Sequence, residues 1–448
     1  MDEQPGKTHS ALVRMLPARI RWRVEHRPGL IKIIDNIGWL FFDKVLRMGV
    51  GLLVGVWVAR YLGPAQFGQL NYATAFVGLF GALAGLGLNG IVVRDIVREP
   101  KSEGVTLGTA FVLQAMAGLL SAAMAILAIS LLKPDDAFTR HMVIIIGLSL
   151  TVRATDVIKY GYEARIQSRY VVWIENTVFV LMTTFRVAVI LTESSLMAFV
   201  WLTLAEAALI SVGLVTIYAS HGGLHHLFSA STNRAKALMR DSWPLLFAAV
   251  AVTLYMRIDM IMLEEMSSTR EVGIYAAAIR ISEIWYFIPT VIISSVSPSI
   301  ISCHGSNNDL YLTRLKSLYF MMAWLALGVT IPLSLLSDQI ISILLGSDFS
   351  DAAPVLAIHL WASLAVFLGM ASSQHLLVEQ LQKISFYRTL IGLVSNVFLN
   401  IMLIPNMGAK GAAIATVISY FVATFSLVLF RSTRKHVIHL LLSPIVRR

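Results

Sequence analysis

The amino-acid sequence predicts an all-α integral membrane protein, with twelve transmembrane helices in two pseudo-repeated six-helix lobes around a central cavity. Three observations predict it. Hydrophobic residues make up 57% of the 448 and charged residues 14%, against roughly 45–50% and 25% in soluble domains, and the mean hydropathy is +0.73. Apolar runs long enough to cross a ~30 Å hydrocarbon core follow one another from residue 32 to residue 430. Lysine and arginine are dense and sparse by turns in successive connections, and of the 36 only Arg60, Lys133, Arg140, Arg270 and Lys410 fall on the sparse side. A miscounted span would scramble that alternation downstream, so it places both termini in the cytoplasm.

Residues 1–31 carry Arg14, Arg19, Arg21, Arg23 and Arg27 around Trp22. They lack the central apolar core of a cleaved secretory signal, so they read as a retained basic cytoplasmic tail suited to lying on lipid headgroups. A nucleic-acid partner is not expected.

The spans are expected at 32–60, 68–93, 105–132, 141–163, 170–192 and 196–219, forming an N-terminal lobe over 32–219. They resume at 242–264, 272–301, 315–337, 353–378, 386–405 and 410–430, forming a C-terminal lobe over 242–430. The stretch 220–241, with its glycines, histidines and Ser/Thr/Asn tract, reads as a cytoplasmic inter-lobe linker, and 431–448 as a second basic cytoplasmic tail. Doubling shows in Phe67-Gly68 at the head of the second span and Val272-Gly273 at the head of the eighth. The tightly turned span pairs 5–6 and 11–12 also correspond.

Connections of at most about twenty residues leave no room for an extramembranous catalytic chamber. The outward acidic pairs Asp135-Asp136 and Glu264-Glu265 read as solvated loop ends, so no enzyme is expected. The single Cys303 excludes an internal disulfide, and no residues have metal-ligand spacing.

Charges inside the spans carry the functional argument, because each costs roughly 2.5–3.5 kcal/mol at membrane depth unless it meets water or a partner. The seventh span holds Arg257 and Asp259, the eighth Arg280 and Glu283, and the first Asp43, Lys44 and Arg47. Further in-span charges are Arg153, Asp156, Glu175, Arg186 and Glu206. Arg257 and Arg280 should lie ~10 and ~12 Å in from a shared hairpin, at similar depth. Two readings are open. The planar guanidinium forks grip a phosphate or carboxylate, or each arginine pairs with Asp259 or Glu283 and staples the bundle. The last four spans, with their lysines and arginines assigned to loop margins, read as uncharged, fit either for a polyprenyl tail or for plain lipid. Pro289, Pro298 and Pro332 should interrupt the eighth and ninth spans, and the glycines at 49, 51, 55, 78, 81 and 85 allow close helix contact.

Several strings resemble one family. These are ARYLGPAQFGQLNYATAFVGLF from Ala59, GLGLNGIVVRDI from Gly85, RIDMIML from Arg257, EVGIYAAAIRISE from Glu271, IPTVIISSVSPSI from Ile288, and NVFLNIMLIPNMGAKGAAIATVISY from Asn396. In this joint order they resemble the polysaccharide flippases, of the O-antigen and capsule repeat-unit type, in the multidrug/oligosaccharidyl-lipid/polysaccharide (MOP) exporter superfamily. The resemblance implies an inner-membrane flippase that moves an undecaprenyl-diphosphate-linked oligosaccharide from the cytoplasmic to the periplasmic leaflet by alternating access. On the placement of the embedded charges, Lys44, Arg47, Arg257 and Arg280 are assigned to the cargo, and Asp43, Asp259 and Glu283 to ion coupling or charge compensation. The resemblance implies H+ or Na+ as coupling cation with no other cofactor, and membrane lipid and polysaccharide polymerase machinery as partners. Alternatives are a peptidoglycan-precursor flippase, a multidrug or cation antiporter of the same superfamily, and a membrane glycosyltransferase. The embedded arginines argue against a cationic substrate.

Overall fold

Helix, interrupted mainly at glycine and proline, accounts for nearly all of the backbone, and among the described residues there is no strand. A computed structural model describes residues 28–304 and 308–434, with side chains from residue 47 onward except 225, 226 and 308. In chain order the α-helices are α1 (Pro28–Gly85), α2 (Asn89–Arg98), α3 (Glu103–Leu132), α4 (Ala137–Val152), α5 (Val157–Ala164), α6 (Arg169–Leu191) and α7 (Leu196–Ser220). There follow α8 (Thr232–Met266), α9 (Thr269–Glu283), α10 (Phe287–Ile301), α11 (Asn308–Leu335), α12 (Ser337–Leu344), α13 (Ala352–His359), α14 (Ala362–Val378) and α15 (Gln382–Phe425).

Ten helical stretches of the described residues are long and apolar enough to cross a membrane, against the twelve expected. Two of the ten are far longer than one crossing needs: residues 47–98 and 382–429 would span ~78 and ~72 Å if straight, more than twice the ~30 Å core. Their helices α1 and α15 each contain one non-helical glycine, Gly63 (φ 69°, ψ 170°) and Gly408 (φ 52°, ψ −130°), in the positive-φ region that glycine enters without a Cβ clash, and a turn at Gly87 (φ 64°) separates α1 from α2. Pro64 directly follows the first break, where its missing N–H costs nothing because an opening helical turn leaves that donor unpaired anyway.

The chain divides into two compact units, and the division does not follow the expected lobes. The first comprises the described parts of Met1–Val54, Leu83–Leu132 and Ile144–Leu246; the second those of Gly55–Ala82, Lys133–Val143 and Phe247–Arg448. In the first unit Leu88, Val92, Leu107, Val157, Ile158 and Leu214 are fully buried together. Ion pairs close its polar end: Arg94 with Asp241 at 2.7 Å, Arg234 with Asp95 at 2.9 Å, and Arg165 with Glu103. The expected linker is largely ordered there, since residues 224–228 form a 3-10 turn and α8 begins at Thr232.

In the second unit Ile300, Tyr319, Met322, Ala326, Phe367 and Ala371 form the core. The sequence pair that signalled doubling meets itself here. A Cβ on Gly68 would strike the Thr269 carbonyl and one on Gly273 the Pro64 carbonyl, so two backbones touch where each lacks a side chain. Both glycine breaks lie at the face of this unit that carries the α8–α9 and α12–α13 connections. Phe67 packs edge-on against Phe349 at 6.2 Å, Arg270 pairs with Asp351 at 2.8 Å, and Glu271 accepts a hydrogen bond from the Ala409 N–H at 2.6 Å. The expected interruption of the eighth span falls at a 3-10 turn over Ile284–Tyr286, between α9 and α10, just ahead of Pro289. Proline has no N–H to continue the α ladder across that point.

Candidate substrate and ion sites

In the second unit α8 and α9 form a hairpin, and the apolar stretch of each carries one exposed arginine well away from the helix start, Arg257 and Arg280. Arg257 lies nine residues before Met266 and Arg280 eleven after Thr269, or ~14 and ~17 Å from the connection. Arg257 makes no hydrogen bond or ion pair among the described residues. The carboxylate of Glu283, half-buried on α9, lies within its electrostatic reach. The guanidinium of Arg280 lies flat over Gly55 of α1, where a Cβ would come within 2.5 Å of its Nε and 2.7 Å of its Nη2. Position 55 therefore has to be glycine for Arg280 to rest there.

Asp259, two residues from Arg257, turns to the interior and is 4% exposed. Its oxygens are taken up by neutral donors: the Tyr275 hydroxyl at 2.7 Å, Thr416 Oγ1 at 2.8 Å and Asn400 Nδ2 at 2.5 Å. Asn400 Nδ2 also donates to Asn396 Oδ1 at 3.1 Å. Asn400 Oδ1, fully buried, has no hydrogen-bond partner among the described residues. A carboxylate, two amides and two hydroxyls thus converge from α8, α9 and the two halves of α15. Buried polar groups in an apolar bundle are costly unless satisfied, and the oxygens of Asp259, Asn400 and Thr416 are the ones here that could hold a proton or a hard cation. Charge neutralisation of Arg257 by Asp259, one of the sequence expectations, is not what the geometry shows; Asp259 faces hydroxyls and amides. The cluster was readable in part, because Asn396 and Asn400 stand four apart, on one face of a helix. Tyr275 and Thr416, neutral residues on distant spans, gave no such signal.

The first unit holds Arg47 in a chain of charge. Arg47 pairs with Glu175 at 3.2 Å, Glu175 with Lys159 at 2.6 Å, and Lys159 with Asp156 at 2.8 Å; the Arg47 guanidinium also sits 5.7 Å over the Phe179 ring. Lys159 lies within α5. Arg186 pairs with Glu206 at 2.5 Å between α6 and α7. Asp43 and Lys44 lie outside the residues whose side chains are described. The expectation that the last four spans are uncharged fails at Arg388, which is partly buried on α15 and bonded to Gly369 and Ser372 of α14. Its place near an uncertain span boundary had put it in a loop margin.

Comparison with known proteins agrees with this arrangement. The family model described as polysaccharide biosynthesis protein matches residues 33–304, and the MatE model matches residues 244–402. A probable low-salt glycan biosynthesis flippase, Agl15, from Haloferax volcanii is 25% identical over 401 residues, covering 86% of this chain and 80% of that protein. A probable flippase, AglR, from the same organism is 30% identical over 176 residues, 37% of this chain and 35% of that protein. Among solved structures, an inward-facing multidrug resistance MATE family transporter of the MOP superfamily superposes with TM-score 0.72 at 15% identity, covering 88% of this chain and 95% of that one. The lipid II flippase MurJ in an inward closed conformation gives 0.71 at 15% identity, covering 92% and 90%. At that identity the two structures establish the fold. The chain is therefore a multi-pass membrane protein that belongs to the polysaccharide biosynthesis protein family, in the flippase group of the MOP exporter superfamily.

Proposed function

We propose that this protein flips an undecaprenyl-diphosphate-linked polysaccharide repeat unit from the cytoplasmic to the periplasmic leaflet of a bacterial inner membrane, by alternating access. The observation that carries the reading is the pair of exposed guanidinium groups, Arg257 and Arg280, at similar depth on two apolar helices. Facing lipid, each would cost roughly 2.5–3.5 kcal/mol, so they belong on a wet path. Two forks of N–H donors match the oxygens of a diphosphate, whose charge otherwise bars it from the core. Arg47 and Lys44 are further cargo cations in this reading, and Glu175 is the counter-ion of Arg47 when no cargo is present. Glu283 serves Arg257 in the same way.

Twelve crossings with both termini cytoplasmic belong to the same proposal. Gly63 and Gly408 are read as turns, because both lie beside established helix connections. Asp259, with Asn396, Asn400 and Thr416, is the coupling site, taking up H+ or Na+; Asp43 is a second candidate. No bond is made or broken in the cycle, and polymerase machinery acts downstream of it.

Deletion of the gene should abolish surface polysaccharide and leave the lipid-linked repeat unit on the cytoplasmic leaflet. Arg257→Ala or Arg280→Ala should lower export with normal membrane insertion, and Lys at either position should preserve part of it. Growth arrest with loss of cell-wall precursor export would assign the cargo to peptidoglycan instead. Unchanged polysaccharide with drug hypersensitivity would make the protein an antiporter. Full export by both alanine variants would remove the arginines from the site.

A further inference from the structure

Arg388 is a cation that the flippase reading leaves unused, and the helices around it leave space beside it. It lies six residues into α15, ~9 Å from the helix start at Gln382, at a depth where a long side chain still reaches the headgroup level. Its Nη1 donates to the Gly369 carbonyl at 3.2 Å and Ser372 Oγ at 2.7 Å, and its Nη2 to Ser373 Oγ at 3.0 Å. All three acceptors are neutral, and among the described residues no carboxylate pairs with it. A guanidinium has five N–H donors. Nε–H and one hydrogen of Nη2 remain, the edge that binds an oxyanion with two parallel bonds.

One recess is lined by Arg388 itself and a second lies next to that one. One, of about 170 Å³, is lined by Tyr255, Gly369, Ser373, Arg388, Tyr420 and Thr424. The other, of about 240 Å³, shares Ser373 and Thr389 with it and is walled mainly by Ala248, Val252, Leu377 and Phe386. Val252 and Leu377 are 44% and 52% exposed, so the apolar recess is open at the surface of α8 and α14. Gln382 and Ser385 supply polar groups at the end nearest the helix start. A fixed positive charge at one end of a mainly apolar slot fits one chemistry, a phosphate with a hydrocarbon chain attached.

We propose that Arg388 and the slot between α8, α14 and α15 bind one anionic phospholipid, its phosphate on the guanidinium and part of an acyl chain along Val252 and Phe386. The site is separate from Arg257 and Arg280 and takes resident lipid; displacement of bound phosphatidylglycerol by a polyprenyl diphosphate would overturn that assignment and make it a second cargo site. Its test is native mass spectrometry of the purified full-length protein in detergent, titrated with phosphatidylglycerol or with phosphatidylcholine of the same chains. The wild type should retain one phosphatidylglycerol and show no comparable retention of phosphatidylcholine. Arg388→Gln should retain phosphatidylglycerol about tenfold or more weakly, because charge-assisted bonds are lost, and Arg388→Lys should fall between. Val252→Trp, which fills the apolar recess and leaves Arg388 in place, should also lose the lipid. Equal retention by Arg388→Gln or by Val252→Trp in protein that elutes as the wild type does would overturn the proposal. So would equal retention of phosphatidylcholine, and displacement of the lipid by excess inorganic phosphate would make the site one for free phosphate.

Discussion

Replacing Gly55 by alanine probes the proposed cargo site without touching a charged residue. The new methyl would lie 2.5 Å from Arg280 Nε and 2.7 Å from Nη2, where ordinary contact begins near 3.4 Å. Arg280 Cζ would be nearer still, so the guanidinium must move by about 1.1 Å, which the flexible end of an arginine accommodates at little cost to the fold. A fork displaced that far loses at least one of its two charge-assisted bonds to a phosphate, about 1.5–3 kcal/mol, or roughly 10- to 150-fold in affinity. The measurement is binding of a polyprenyl diphosphate to purified protein by intrinsic fluorescence, with the melting midpoint followed in parallel. Weaker binding at an unchanged midpoint is the expected result. Wild-type affinity in Gly55→Ala would show that the resting position of Arg280 has no part in cargo binding. A collapse of the midpoint would show that Gly55 is a packing residue and nothing more.

Three further outcomes follow from the geometry. In the wild type, Na+ at a hundred times its dissociation constant should stabilise the protein by about 2.7 kcal/mol, raising the melting midpoint, and Asp259→Asn should abolish the shift; a wild type indifferent to Na+ would leave only the proton as coupling ion. Glu175→Gln removes one partner from each of Arg47 (3.2 Å) and Lys159 (2.6 Å), and should lower stability by about 1–3 kcal/mol, less than for a fully buried pair because Glu175 is 20% exposed. An unchanged midpoint would mean that solvent carries these charges. Gly408→Ala places a Cβ at φ 52° against the Glu271 carboxylate, costing about 1–2 kcal/mol for the backbone and as much again for the displaced bond to the Ala409 N–H. Gly78→Ala, where a Cβ meets nothing within 4 Å, is the control and should be near neutral.

Which charges are paired was not legible in the chain. Arg47, Arg257 and Arg280 look alike there, each a cation in an apolar run with an acid nearby. In the folded protein Arg47 is bound to Glu175, 128 residues away, while Arg257 forms no ion pair among the described residues. Asp259, two residues from Arg257, bonds instead to residues 141 and 157 positions further along, because successive side chains on a helix diverge by about 100° and neighbours in sequence face different surroundings. Arg388 was misplaced for a simpler reason: hydropathy blurs a span's end by several residues, and this arginine lies within that margin.

What the sequence determined by itself is the environment and the inventory: a chain of long apolar runs with short connections has to be a helical membrane protein, since only helices satisfy every backbone group of such runs in hydrocarbon. It also named the embedded charges, because each is an expensive exception to an apolar pattern. The tertiary structure alone decided what those charges do. It bent α1 and α15 at single glycines and grouped Gly55–Ala82 with the later helices, and it turned Asp259 inward while leaving Arg257 and Arg280 exposed. Those outcomes depend on which helix faces meet, and periodicity gives a face without naming its neighbour.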